Sequence, residues 1–155
     1  MRKKNPKLPL TQAERRNLRR MKVKVSEVSQ FSLDELSYIL DTTPERAREI
    51  KGLATFQQIP SIGHELADKL VTHLGLYDLE QIKDQEWTEL CQSLELKLGC
   101  WTDPCVEDQI MCVIHHANHP GSDKQWFDFT EERKAYREAH GYPQSRPKTA
   151  WYEKV

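Results

Sequence analysis

A chain of 155 residues, 30% of them charged and 37% hydrophobic, suits one small domain with solvated faces and short tails. Its longest apolar run, Ile110 to Ile114, is five residues against the roughly 20 of a membrane-spanning helix, and no hydrophobic stretch follows the basic start, as a secretory signal would require. The net charge of −1 conceals an asymmetry: residues 1 to 24 carry ten Lys or Arg against one acid, a net +9, and the rest carries 13 basic against 23 acidic residues, a net −10.

A basic arm on an acidic body is the pattern of a segment that meets nucleic acid or another anionic surface. A solvated arm, or one folded back on its own acidic body, is the plainer alternative. Residues 1–24 are expected to form this arm, Lys/Pro-rich and disordered at the tip over residues 1–10. Thr11 and Glu14 form a capping box that opens a short helix to Met21, carrying Arg15, Arg16, Arg19 and Arg20. A helical domain is expected over residues 25–129. Val23, Val25 and Val28 lead onto it. Ser32 and Glu35 cap a helix to about Leu40, and Thr43-Pro44 opens another to about Gln58, with Pro at its first position. After Gly75, Asp78 caps a short helix and Asp84 caps the next, which carries Trp87, Leu90, Leu94 and Leu98 to Gly99. Asp103-Pro104 opens a helix to about His119 with Val106, Ile110, Val113, Ile114 and Ala117 as its apolar stripe. Trp126, Phe127 and Phe129 close the core. Residues 130–155 form a Thr130-capped charged helix to His140 and a tail whose aromatics, Tyr142, Trp151 and Tyr152, are able to dock. No strand pattern and no repeat at a fixed period emerges.

The stretch from Phe56 to Gly75 organises the rest. Ile59-Pro60-Ser61-Ile62-Gly63 breaks a helix, because Pro60 removes a backbone donor and Gly63 is free to take positive φ or admit another backbone. Leu66, Ala67, Leu70, Val71 and Leu74 then mark a second helix, with Gly75 as its left-handed cap. This helix, tight hairpin and helix resemble the helix-hairpin-helix motif of DNA-binding and DNA-repair proteins, on Ile59, Ile62, Gly63, Ala67 and Leu70. The resemblance implies an all-α, helix-hairpin-helix-containing fold of the SAM/HhH-like bundle type, with the core motif at about residues 44–75. It also implies a DNA phosphate held by backbone N–H groups at the start of the second helix, where orphan amides and the helix dipole favour an anion. Two positions depart from the motif: Ser61 stands where its first glycine would be, and Glu65 where a basic residue is usual. A structural αα-hairpin that touches no nucleic acid is the alternative reading.

From Leu33 to Phe129 the chain further resembles the bacterial pathogenicity-locus family, small helix-hairpin-helix proteins of which some are labelled mitomycin-resistance proteins. The resemblance rests on Ile59-Pro-Ser-Ile-Gly63, Leu74-Gly-Leu, the segment Asp84 to Leu94, Asp103-Pro104-Cys105-Val106-x-Asp108 running to Cys112-Val113, and the patch around Trp126. It implies an all-α fold and a DNA-binding role in a bacterial cytoplasm, without an established reaction.

Four cysteines, Cys91, Cys100, Cys105 and Cys112, fit free thiols in a reducing cytoplasm. Cys105, Cys112, His116 and His119 lie near one face of their helix, but about 21 Å separates its ends at 1.5 Å per residue. A zinc ion would therefore use an i,i+4 pair, Cys112 with His116 or His115 with His119, or Cys100 with Cys105 as a loop pair; buried small hydrophobes and solvent-facing histidines are the alternative. Cys105 in a first helical turn invites a lowered thiol pKa, which Asp103, Glu107 and Asp108 oppose. No Ser-His-Asp arrangement, phosphate loop or pocket of paired carboxylates can be argued, so a binding protein without cofactor or small-molecule substrate is expected rather than an enzyme. The expected DNA contacts are the backbone donors of Ser61, Ile62, Gly63 and His64, helped by the Ser61 hydroxyl, Lys69, and Arg15, Arg16, Arg19 and Arg20 of the arm. The competing classes are a protein-interaction adaptor with a structural hairpin and a metal or thiol protein.

Overall fold

The computed structural model describes residues 3–154; Arg2 of the basic arm lies outside them. The fold is all-α, as expected. Helices α1 (Gln12–Arg20), α2 (Leu33–Leu40), α3 (Pro44–Gln57), α4 (His64–Asp68), α5 (Leu79–Ile82), α6 (Trp87–Leu98), α7 (Pro104–Asn118) and α8 (Thr130–His140) follow one another with short connections. Three 3-10 turns, Val25–Gln30, Trp126–Phe129 and Trp151–Glu153, complete the described secondary structure apart from a π turn after α4. Among the described residues, β-pairing is limited to one isolated bridge between Trp101 and Ala150, and no helix is long and apolar enough to cross a membrane.

Local chemistry sets most of the boundaries. The Thr11/Glu14 and Ser32/Glu35 capping boxes both form, and Thr43 and Asp103 cap α3 and α7 ahead of their N-terminal prolines. Gly75 and Gly99 end their helices at φ of +64° and +71°. Two expected caps fail. Asp84 stands outside α6, which starts at Trp87 with Glu86 as an N-cap that makes no side-chain bond. Thr130 lies inside α8, because the turn Trp126–Phe129 runs straight into that helix; its hydroxyl donates to Asp108 at 2.8 Å instead.

Two helices organise the packing. In the N-terminal part α3 carries α2, α4 and the turn at Val25–Gln30, and in the C-terminal part α7 carries α5, α6, α8 and the turn at Trp126–Phe129. Helix α4 joins the two, touching both α3 and α7. One apolar cluster runs through both parts, with Leu36, Ile50, Phe56, Ile62, Leu70, Leu94 and Val113 fully or almost fully buried. Gly52 permits a close approach of backbone: a Cβ there would sit 3.0 Å from the Tyr77 carbonyl oxygen and 3.1 Å from Val71 Cγ2.

The basic segment is part of this body. Pro6, Leu8 and Leu18 are buried, and Leu8 and Leu18 belong to the apolar cluster. Residues 4–7 lie along the end of α3, where Gln57 and Gln58 each pair with backbone: Gln57 with Lys7 at 2.9 Å in both directions, Gln58 with Lys4 at 3.1 and 2.9 Å. The expected disordered tip is therefore a docked, extended segment from residue 3 onward, held by side-chain amides that pair as backbone amides do in a sheet. Removing residues 1–22 would strip Leu8 and Leu18 from the core.

Candidate functional site

The hairpin between α3 and α4 turns on Ser61, not on Gly63. Ser61 takes the left-handed φ of +65°, whereas Gly63 sits at φ −105°, ψ −169°, an extended conformation open to any residue. Ser61 thus carries the conformation that a glycine would adopt at least cost. Bonding compensates: its Oγ accepts the Trp126 N–H at 2.9 Å and donates to the Pro60 carbonyl at 2.5 Å. That hydroxyl is spent within the fold, which corrects its expected part in holding a ligand.

The backbone donors divide likewise. Ile62 N–H donates to the Ile59 carbonyl at 3.1 Å and closes the turn, so it drops out of the expected donor set. Ile62 itself is fully buried. Ser61, Gly63, His64, Glu65 and Leu66 have N–H groups without an acceptor among the described residues, and the first bond of α4 runs from Ala67 N–H to the Gly63 carbonyl at 3.2 Å. Gly63 is the N-cap and offers no side chain to satisfy them. A Cβ on Gly63 would meet nothing within 4 Å, so the space before these amides is open. Beyond Asp68 the helix widens into a π turn, Lys69–His73, in which Leu74 N–H reaches the Lys69 carbonyl five residues back.

A groove of 660 Å³ opens at this helix start, lined among others by Lys4, Lys7, Gly63, His64, Glu65 and Lys69. Lys4 is fixed below the turn, its Nζ donating to the carbonyls of Ile59 and Ile62 at 2.9 and 3.0 Å; burial holds its ammonium pKa below the ordinary lysine value. Lys7 and Lys69 make no side-chain bond or ion pair among the described residues. A second groove, lined by Lys3, Asn5 and Lys24, shares Asn5 with the first. The cations thus form a track, Lys24, Lys3, Lys4, Lys7 and Lys69, that passes the free amides. Lys4 and Lys7 escaped the sequence reading because their place depends on Gln57 and Gln58, some 50 residues away. By contrast Arg15, Arg16, Arg19 and Arg20 lie on the face of α1 away from buried Glu14 and Leu18, and none of them lines either groove among the described residues.

The candidate metal ligands come together at most in pairs. Among the described residues no three His, Cys, Asp or Glu side chains converge where an ion would sit. Cys112 Sγ and His116 Nε2 both turn to the Lys124 carbonyl, at 3.8 and 2.7 Å. His119 packs its ring on His115, centroids 4.5 Å apart, and Cys100 is buried. Cys105 does lie in the first turn of α7, but its thiol pKa is raised, by burial first and then by Asp103, whose carboxylate accepts the Cys105 N–H at 2.8 Å. Burial pushes the Cys112 thiol up to about 12. These thiols are held in the unreactive protonated form.

The acids of α6 and α7 serve the C-terminal segment. Arg133 meets Asp108 at 2.8 Å, Arg137 meets Glu107 at 2.7 Å, and Arg146 meets Glu95 at 2.9 Å. Tyr142 donates its hydroxyl to Glu107 at 2.7 Å, and the guanidinium groups of Arg137 and Arg146 lie over its ring, 4.0 and 3.6 Å from the centroid. This clamp fixes the tail, and Trp101 N–H then donates to the Thr149 carbonyl at 2.9 Å.

A family model described as "Cdd1: Pathogenicity locus" matches residues 49–135, which is 87 of the 155 residues. Among curated proteins, a mitomycin resistance protein, McrB of Streptomyces lavendulae, is 24% identical over 82 residues, covering 53% of this chain and 76% of that protein. No solved structure matches the chain. The family match takes in the hairpin, Lys69 and the acids of α6 and α7; Lys4, Lys7, Arg137, Tyr142 and Arg146 fall outside it.

Proposed function

The chain belongs to the pathogenicity-locus family, and from that premise we propose that it binds DNA independently of sequence, through a helix-hairpin-helix contact in which the start of α4 holds a backbone phosphate. One observation carries the reading: the unpaired amides of Gly63 to Leu66 open onto a groove whose flanks bear Lys4, Lys7 and Lys69. Unbonded N–H groups, the positive end of a helix and ammonium groups together form an anion site that suits phosphate and reads no base. Glu65 and the acidic body work against it, and the lysine track supplies the attraction that offsets them. We place this binding in DNA repair or damage resistance in the cytoplasm, a setting that suits a relative named for mitomycin resistance and four unpaired thiols. No cofactor is part of the reading.

The test reverses the two groove lysines whose side chains hold nothing else together. Lys7→Glu/Lys69→Glu should keep the helical circular dichroism of the wild type and lose about tenfold in affinity for a short DNA, about 1.4 kcal/mol. Its plot of log affinity against log salt should flatten by roughly 0.9 for each phosphate that the variant no longer neutralises. A folded double variant with the wild-type affinity and slope would overturn the proposal and favour a protein partner for this surface.

A further inference from the structure

The groove does not end at the lysines. A second cavity of 300 Å³ shares four of its lining residues, Glu65, Lys69, Val106 and Gln109, and continues past Asp103 and Cys105 to the indole of Trp151. We infer that Trp151 is a stacking platform for an unpaired nucleobase, so that the ligand of the phosphate site is single-stranded DNA or a duplex end with unpaired bases. The inference rests on the phosphate-binding reading above and assigns its substrate class.

Charge sorts the two ends of the continuous groove. The end lined by Lys4 and Lys7 attracts phosphate, and Lys69 and Glu65 lie where the two cavities meet. The Trp151 end adds Asp103, which repels phosphate but accepts hydrogen bonds from the N–H groups of bases, and Gln109 offers both a donor and an acceptor. A ligand that lays phosphate at one end and a neutral aromatic with N–H groups at the other is a strand with its bases free. In an intact duplex the bases are paired inside and show no face to an indole.

The platform is presented on rigid backbone. Ala150 is fully buried, and Trp101 pairs with it and with Thr149. Arg146 anchors the approach to this bridge on Glu95. Trp151 nonetheless stays 47% exposed, with its ring roughly perpendicular to that of Tyr152 and the centroids 5.6 Å apart. Such an indole makes no large contribution to the core, and it borders the cavity, where an indole suits the sequence-tolerant stacking of a base.

The experiment compares three probes of equal length: an oligothymidylate, the same backbone without bases, and a blunt duplex. The wild type should bind the oligothymidylate about tenfold more tightly than the baseless strand, in the range expected for one stacked base. Trp151→Ala should lose that advantage, Trp151→Phe should recover most of it, and duplex affinity should stay the same in all three proteins. Trp151→Ala serves here only if its circular dichroism matches the wild type; in either case, oligothymidylate should quench wild-type tryptophan fluorescence more than the baseless strand does. Equal wild-type affinity for strands with and without bases, or an unchanged preference in folded Trp151→Ala, would overturn the stacking site while leaving the phosphate grip intact. Failure of the wild type to bind any of the three would overturn the phosphate grip as well.

Discussion

The clamp at the C-terminal segment and the groove at the hairpin handle charge in opposite ways. In the clamp three arginines, Arg133, Arg137 and Arg146, each meet a carboxylate whose side chain is 5% exposed or less. In the groove three lysines, Lys4, Lys7 and Lys69, share one acid, Glu65, and a row of unbonded amides. Arginine's planar fork matches a carboxylate and keeps its charge when buried, while lysine's compact ammonium is strongly hydrated and rides on a flexible stem. One region is thus closed on itself and the other open to a ligand. A net charge of −1 describes neither, because the acids that face the clamp are consumed in holding the chain's own tail.

The sharpest way to break the contrast is to open the clamp. Arg137→Ala leaves Glu107, 1% exposed, without its cation, and loss of one partner of a buried pair costs about 3–5 kcal/mol. Urea unfolding should show it as a much lower midpoint; a shift under about 1 kcal/mol would mean that water reaches Glu107 freely and that the pair is a surface one. The converse change gives the groove a carboxylate of its own. Gly63→Asp places a capping oxygen before the amides of α4 in a conformation that aspartate adopts without strain, and should leave stability within a few tenths of a kcal/mol or raise it slightly. The same carboxylate occupies the phosphate position, so DNA affinity should fall about tenfold, or about 1.4 kcal/mol. Retained affinity in this variant would remove the hairpin amides from the binding site.

Two smaller effects are read by pH. Burial, and the bond donated to Glu107, push the Tyr142 phenol up to about 12. A raised folded pKa contributes stability that is complete below the unfolded value of about 10 and is lost as pH rises through about 12. Phenolate absorbance should therefore show one late-titrating tyrosine, absent in Tyr142→Phe; normal titration of all tyrosines would place Tyr142 in solvent. The smallest effect lies at acid pH. Burial raises the Glu14 pKa, but Arg46 and the Thr11 amide outweigh it and leave the carboxyl below its ordinary value. Its contribution is present above the unfolded carboxyl pKa and fades as pH falls through the folded one. The stability gap between wild type and Glu14→Gln should narrow over that acid interval, and a gap that stays constant would assign it to packing.

Much of the fold was legible because its signals are local. Ser32 with Glu35, Thr43 before Pro44 and Asp103 before Pro104 mark helix starts within four residues of sequence, and the backbone obeys them. Asp84 and Thr130 misled for a related reason: each is a good cap by type, but a turn of the chain beside it decides where the helix begins. The hairpin was visible in Ile59 to Gly63, yet the glycine that suggested a strained turn is relaxed, and Ser61 bears the strain with help from Trp126, 65 residues on. Lys4, Lys7 and the arginine partners of Glu95, Glu107 and Asp108 depend on contacts across 25 to 58 residues. Residue type and spacing do not encode such pairings, so an abundance of acids reads as solvated surface until the arginines are in place.

The groove draws Lys4 and Lys7 from one end of the sequence and Trp151 from the other. Contacts this distant along a chain form late, after local helices and the loops between them have closed. On the ribosome, α2, α3 and the hairpin can be made long before residue 151 emerges, so a partly synthesised chain presents a hairpin without its aromatic end. Emergence of residue 151 then completes the groove. A protease that trims residues after the clamp would return the molecule to that earlier form while leaving the apolar cluster whole.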